Sequence, residues 1–170
     1  QLSNYTYKIS GTIDVTNTTG GSIADLIYRT SSKTVTYKLS SDNLLISIDS
    51  ASNLNWHLRS KPKFELKSDK LVYTMVADTL IDGKNINCWG TNRLGESFIN
   101  EFDAGYTSSE TCGLYNYKAG HIKQTAGNKN IDIAYNVDEN GVQISPSYCG
   151  YGCKVTYTQN GYTKQQLIAY

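Results

Sequence analysis

Apolar and polar residues alternate along most of this chain. From Tyr5 to Val15 the alternation is unbroken: Tyr5, Tyr7, Ile9, Ile13 and Val15 point one way, with Gly11 among them, and Thr6, Lys8, Ser10, Thr12 and Asp14 the other. A period of two over that length predicts a half-buried strand. Asn17 to Gly21 then predicts a turn. Val35, Tyr37 and Leu39 alternate again, Ser41-Asp42-Asn43 turns the chain, and Leu44 to Ile48 forms the next strand, followed by a turn over 49–53. Leu54 to Arg59 and Lys63 to Lys67 follow, separated by Pro62. Leu71 to Ile81 is the most apolar run and is the expected central core strand. Asp82-Gly83 is a hairpin signal returning through Ile86 to Cys88 and Trp89. Ile131, Ile133, Tyr135 and Val137 resume the pattern, with Asn140-Gly141 predicting a hairpin back through Val142 and Ile144. In the last stretch, Cys149 to Tyr170, Asn160-Gly161 predicts a type I′ turn that sets Gln159 opposite Tyr162, Tyr157 opposite Lys164 and Val155 opposite Gln166.

Two stretches depart from this rhythm. Ser22-Ile-Ala-Asp25 has a cap residue followed three later by an acid, and with Ile23, Leu26 and Ile27 it predicts one or two helical turns. From Gly90 to Asn130 there is no clean alternation, and a long irregular region in a compact domain is often functional. Within it, Phe98, Ile99 and Phe102 share a helical face and Gly105 sits at a C-cap position, predicting a helix over Glu96 to Ala104. The whole is expected to be a single domain over residues 1–170: an all-β, antiparallel β-sandwich, immunoglobulin-like or jelly-roll-like, with one or two short helices. There is no regular βα alternation to argue for a parallel sheet.

Composition narrows the chemistry. Sixteen basic residues are balanced by fifteen acidic ones, and they are scattered, so no nucleic-acid partner is expected. No apolar run approaches ~20 residues, so no helical membrane insertion is expected. Tyr is abundant, at 14 residues against 3 Phe and 2 Trp, and suits a pleated surface that hydrogen-bonds polar ligands. The chain begins at Gln1, as a processed secreted protein or an excised domain would. Cys88, Cys112, Cys149 and Cys153 fit an oxidising compartment. Of three pairings, Cys88–Cys112 with Cys149–Cys153 is preferred, because Gly150 and Gly152 would let the short ring close, and crossed pairing is its rival.

Catalysis and metal binding find little support. Asn136-x-Asp138-x-Asn140-Gly141 imitates the start of a calcium loop, but Ser147 stands where the bidentate acid belongs. The Cys88/Cys112 pair is spaced too widely for a zinc ribbon. Glu96, Glu101, Asp103 and Glu110 are the acids of the irregular region, but Glu96 and Glu101 diverge on the expected helix rather than facing each other across a bond, as a solvated helix face would. His57 and His121 are the only histidines, and no G-x-S-x-G turn accompanies them. No cofactor and no enzymatic activity are expected. What remains is recognition of neutral polar ligands by loops on a rigid sheet, with aromatic faces against sugar C–H surfaces. The expected site groups Trp89, Asn92, Arg93, Asp103, Tyr106, Tyr115 and His121, the residue types of such a site within the irregular region.

The N-terminal alternating strand from Tyr5 to Val15, the sparse cysteines and the Asn/Thr/Tyr-rich loops together resemble the lectin domain of a bacterial fimbrial tip adhesin. The resemblance is one of style and transfers no functional residue. It implies an extracellular or cell-surface domain at a fimbrial tip, the N-terminal receptor-binding part of a longer chain, that binds a host glycan or glycoprotein and is followed by a pilin-like domain. The alternatives are a structural fimbrial subunit, and a viral or eukaryotic receptor-binding domain, for which Asn4-Tyr-Thr6 and Asn17-Thr-Thr19 would be glycosylation sequons.

Overall fold

A computed structural model of the chain describes residues 7–30, 34–48, 51–67 and 70–170. The elements run β1 (Tyr7–Ser10), β2 (Asp14–Asn17), α1 (Ile23–Ile27), β3 (Thr34–Ile48), β4 (Ala51–Lys67), β5 (Lys70–Ala77), β6 (Leu80–Ile81), β7 (Lys84–Thr91), β8 (Ser97–Ser109), β9 (Gly113–Ala126), β10 (Lys129–Val137), β11 (Gly152–Gln159) and β12 (Tyr162–Ala169). The twelve strands of the described residues are antiparallel neighbours in one sheet, whose main path runs β1-β3-β4-β5-β8-β9-β10-β11-β12 with β2, β6 and β7 off it. β2 shares β3 with β1, while β7 takes the lower half of the gap between β4 and β8 that β5 fills above. The all-β, antiparallel expectation therefore holds, with the strands joined in a single curled sheet.

Local chemistry explains most of the elements. The final hairpin has the register that its Asn-Gly turn requires, Gln159 opposite Tyr162 and Val155 opposite Gln166, with φ of 51° at Asn160 and 78° at Gly161. The helix forms where the cap residue and the acid stand: Asp25 N–H donates to the Ser22 hydroxyl at 3.1 Å, and Ser22 N–H donates back to the Asp25 carboxylate at 2.8 Å. Asp82-Gly83 closes the β6–β7 hairpin. Asn140-Gly141 makes only a tight turn. There the Asp138 carboxylate accepts from the Asn140 and Val142 N–H groups, and a single bridge joins Val137 to Gln143.

Three expectations are corrected. The strand expected from Tyr5 to Val15 is two short ones over its described part, since residues 5 and 6 lie outside the described residues. It breaks at Gly11 (φ 118°), where a Cβ would stand 2.3 Å from the Asn43 carbonyl oxygen, so β1 and β2 meet β3 on either side of its own bulge. Pro62 does not separate two strands. β4 runs through it, and the β3–β4 ladder skips the pairs between Thr36↔Lys63 and Leu39↔Ser60, where the missing proline N–H falls. The helix expected over Glu96 to Ala104 is the lower half of β8. Its backbone pairs with β7 on one side and β9 on the other, and Phe98 and Phe102 turn to one face of the sheet while Ile99 turns to the other. Long-range pairing overrides the weak helical spacing.

The sheet is sharply two-faced. Val35, Tyr37 and Leu39 of β3, Pro62 and Phe64 of β4, Tyr73 and Met75 of β5, and Phe98, Phe102 and Tyr106 of β8 share one face, which continues through Ile122, Ile133, Tyr135 and Val155. The other face carries Lys61, Lys63, Glu65, Glu101, His121, Lys123, Asp132 and Lys154. Among the described residues only the five-residue α1 is available to cover the apolar face, so the curl of the sheet itself buries Leu44, Ile46, Leu54, Phe98, Phe102 and Ile122. These sit in the lower half of the sheet and close that end. The protein exposes 10189 Å², against about 8,300 Å² for a compact fold of 18.9 kDa, as an open sheet does.

The cysteine pairing differs from expectation. Cys112 and Cys149 form the disulfide, with Cα atoms 5.4 Å apart, joining the β8–β9 turn to the β10–β11 connection. Cys88 and Cys153 are free thiols. Cys88 lies buried in the closed end, opposite Leu58, and Cys153 lies on the apolar face between Tyr135 and Ile168, so neither points at the loop that carries Cys149. Burial pushes the Cys88 thiol up to about 11 and raises that of Cys153, so both stay protonated and poorly nucleophilic.

Candidate functional site

Above the closed end, the apolar face opens into a strip of aromatic rings that crosses the sheet. Tyr37 packs on Phe64 with centroids 6.4 Å apart, Phe64 on Tyr73 at 4.9 Å, and Tyr73 on Tyr106 at 6.1 Å. Tyr106 then meets Phe102 at 5.4 Å and Tyr117 at 4.7 Å, and Tyr117 meets Tyr135 at 4.7 Å. The tyrosines, Phe64 and Met75 remain half-buried, unlike the residues below them. No charged side chain stands on this part of the face among the described residues. Burial, reinforced by the neighbouring tyrosines, pushes the hydroxyls of Tyr73 and Tyr135 well above the usual tyrosine range. Burial raises Tyr106 too, against a hydrogen bond from Tyr73 that acts the other way. The strip is thus neutral, apolar in its ring faces and dotted with hydroxyls. Ser108, between Tyr73 and Tyr117 in the same row, has a buried Oγ without a hydrogen-bond partner among the described residues.

Two devices flank the strip. On one side α1 lies against β3 and β4 with Leu26 fully buried, and the Arg29 that follows reaches Glu110 at 3.7 Å. Glu110 also accepts from the Leu71 N–H at 2.9 Å, so the helix is tied to the β8–β9 turn. On the other side the Cys112–Cys149 bond and the Tyr170 hydroxyl, which donates to the Tyr117 carbonyl at 2.8 Å, fix the C-terminal end of the sheet.

The polar face holds a second group of candidates. His121 lies between two carboxylates, Nε2 2.9 Å from Asp132 and Nδ1 3.2 Å from Asp103. Beside it a concavity of about 430 Å³ is lined by Lys123, Asn130, Asp132, Lys154, Thr156 and Gln165 among others. Burial alone would lower the His121 pKa, but hydrogen bonds and charge from Asp132, then Asp103, outweigh it and raise it above 6.5. The folded value lies above the unfolded one, so this stabilisation is complete below the unfolded pKa and is lost as pH rises through the folded pKa. His121→Gln is therefore expected to lower the urea midpoint more at about pH 5.5 than at about pH 8.5. An equal loss at both would show that the charged form makes no contribution.

The residues singled out from sequence do not form one site. Trp89 is on the polar face, where His57 stacks on it with ring planes 6° apart and centroids 5.0 Å apart, and where the Arg59 guanidinium lies 5.7 Å from its centroid. Asn92 and Arg93 belong to the β7–β8 turn, and the Asn92 side chain is spent on the Leu94 and Glu96 N–H groups and the Glu96 carboxylate. Asp103 and His121 are together, but the row of Trp89 and Thr125 is four residues along β9 from His121, about 13 Å. Tyr106 is on the opposite face, in the aromatic strip. The Tyr115 side chain lies outside the described residues, as does Asn4 of the first sequon. Tyr73, Met75, Tyr117 and Tyr135 were not singled out, nor were Lys123, Asp132 and Lys154.

The other candidate groups have structural partners. Glu96 pairs with Lys129 at 2.7 Å and Glu101 with Lys84 at 3.6 Å. The fully buried Asn136 of the calcium-like stretch is hydrogen-bonded to Ile144, Ser145 and Gly150. Among the described residues no three His, Cys, Asp or Glu side chains converge as a metal site. No protein-family model, curated protein or solved structure matches the chain.

Proposed function

We propose that this is a non-catalytic binding protein of an oxidising, extracytoplasmic compartment that holds an apolar or amphipathic small molecule, of the long-chain fatty acid type, on the inner face of its sheet. The observation that carries this reading is the half-open, charge-free aromatic strip above a closed core. Binding sites for small molecules are concave, mostly apolar and aromatic, with a few polar groups that orient the ligand. Here the rings and Met75 offer the apolar surface, and the hydroxyls of the half-buried Tyr73, Tyr106 and Tyr135 offer the polar groups. Each methylene buried against the strip gains about 0.8 kcal/mol. The rings pack on one another edge-on or tilted, with interplanar angles from 45° to 80°, so they present an uneven apolar surface that favours an aliphatic chain lying across it over a sugar lying flat on one ring. The disulfide supports the compartment.

A second reading keeps the glycan or glycoprotein receptor of an adhesin-like domain, and the polar concavity over β9–β12 favours it. Lys123 and Lys154 with Asn130, Thr156 and Gln165 have the chemistry for an acidic sugar. Trp89 is less suited to stacking a sugar, since His57 occupies one of its faces.

The experiment is a titration with a fluorescent fatty acid, alongside an acidic-glycan array, on the wild type, on Met75→Glu and on the double variant Lys123→Glu/Lys154→Glu, each checked by thermal melting. A carboxylate placed in the strip is expected to weaken fatty-acid binding at least about thirtyfold, a cost of roughly 2 kcal/mol. The double variant should leave it unchanged. Fatty-acid binding indifferent to Met75→Glu would refute the inner-face reading, and glycan binding lost only in the double variant would establish the second.

A further inference from the structure

The sheet is open, and its two edges are built differently. One edge is β1 and β2, four residues each, broken at Gly11 and carrying Lys8 and Asp14, a broken and charged edge of the kind that resists pairing with other chains. The other is β12, eight residues without a bulge or proline, paired only with β11 among the described residues. Every residue of β12 except Leu167 is exposed, and Lys164 is its only charge. Tyr162 is 65% and Ile168 45% exposed, both on the apolar face of the sheet. A long, regular and nearly uncharged edge offers its outward N–H and C=O groups to another strand.

We infer that the occupant is β12 of a second copy, paired antiparallel about a two-fold axis through Gln165. The sequence itself selects that register. With Gln165 opposite its own counterpart, Tyr162 meets the partner's Ile168, Lys164 meets the partner's Gln166, and Thr163 meets the partner's Leu167. Both exposed apolar side chains are then covered, and no like charges face each other. A register centred on Lys164 would set two ammonium groups opposite, and one centred on Gln166 would press Lys164 against the partner's Ile168. Pairing at Gln165 also puts the apolar faces of both copies on the same side of one continuous sheet, because directly opposed residues share a face and the register joins positions of equal parity.

The test is sedimentation of the wild-type chain over a wide concentration range, together with three single variants on exposed positions. The wild type is expected to form a concentration-dependent dimer. Gln165→Lys, which places like charges on the axis, should raise its dissociation constant about fivefold. Under mild oxidation Gln165→Cys should crosslink well above the wild-type background set by Cys88 and Cys153. Thr163→Cys should not, because its two copies would stand about 13 Å apart, beyond the reach of a disulfide. A wild type that stays monomeric to hundreds of micromolar overturns the inference, as does crosslinking through Thr163→Cys in preference to Gln165→Cys.

Discussion

Replacing Asn136 by alanine is expected to cost about 4 kcal/mol of stability, read as a fall in the urea midpoint at constant slope. Asn136 is fully buried, and it occupies the left-handed region (φ 60°) at the irregularity where β10 leaves its register with β11. Its Nδ2 donates to the Ile144 and Ser145 carbonyls at 3.2 and 3.1 Å, and its Oδ1 accepts from the Gly150 N–H at 2.7 Å. Alanine would strand all three groups inside the protein and leave a Cβ in a conformation that asparagine tolerates better. Asn136→Gly separates the two contributions, because it loses the same hydrogen bonds without the backbone strain, and should recover about 1 kcal/mol relative to alanine. A loss below about 1 kcal/mol in Asn136→Ala would mean that the β10–β11 connection is held elsewhere.

Removing the disulfide is the second large effect. Cys112 and Cys149 are 37 residues apart, and closing a loop of that length restricts the unfolded chain by about 4 kcal/mol in the chain-entropy account. The double variant Cys112→Ser/Cys149→Ser should therefore lose about 3–4 kcal/mol. Reduction of the wild type should do the same, since it opens the one disulfide of the described residues. The effect should extend to binding, because the bond anchors one flank of the aromatic strip. Fatty-acid affinity is expected to fall in the reduced protein even where circular dichroism still reports a folded sheet. Unchanged stability on reduction would show that the β10–β11 connection is held by Asn136 alone.

The parts of this fold that could be read from the sequence are those fixed by a few adjacent residues. Asn160-Gly161 sets the register of β11 and β12 because only a primed turn fits between strands of that twist. Ser22 and Asp25 start α1 because each side chain caps the other's backbone. The stretch from Gly90 to Asn130 was opaque for a physical reason. The β8–β9 ladder shifts register between Phe102 and Gly105, again between Thr107 and Ser108, and again before Ser109. The shift between Thr107 and Ser108 moves the apolar residues of β9 to the other parity, from Ile122 to Tyr117, and the polar Asn100, Ser108 and Gln124 fall on the apolar face, so a strand pair of more than a dozen residues per strand shows no sustained period of two.

Those shifts also hid the candidate site. Tyr73, Tyr106, Tyr117 and Tyr135 come from four strands and line up only once the bulges are placed. Proximity in sequence instead grouped Tyr106 with Trp89 and His121, which project from the opposite face. The cysteines failed in the same way. Spacing favoured the short Cys149–Cys153 ring, but β11 begins at Gly152 and carries Cys153 onto the apolar face, away from the loop that holds Cys149.

Met75 is the only methionine in the chain, and it stands in the middle of the aromatic strip. A sample labelled with ¹³C at the methionine methyl gives one signal that reports on this face alone. On titration with a long-chain fatty acid kept below its micelle concentration, the Met75 methyl resonance is expected to shift progressively and saturate at one ligand per chain. The amide signals of Lys123, Lys154 and Thr156 on the polar face should stay in place. A Met75 signal that does not move while the fatty acid is bound, or while polar-face amides respond, would contradict the assignment of the inner face as the binding site.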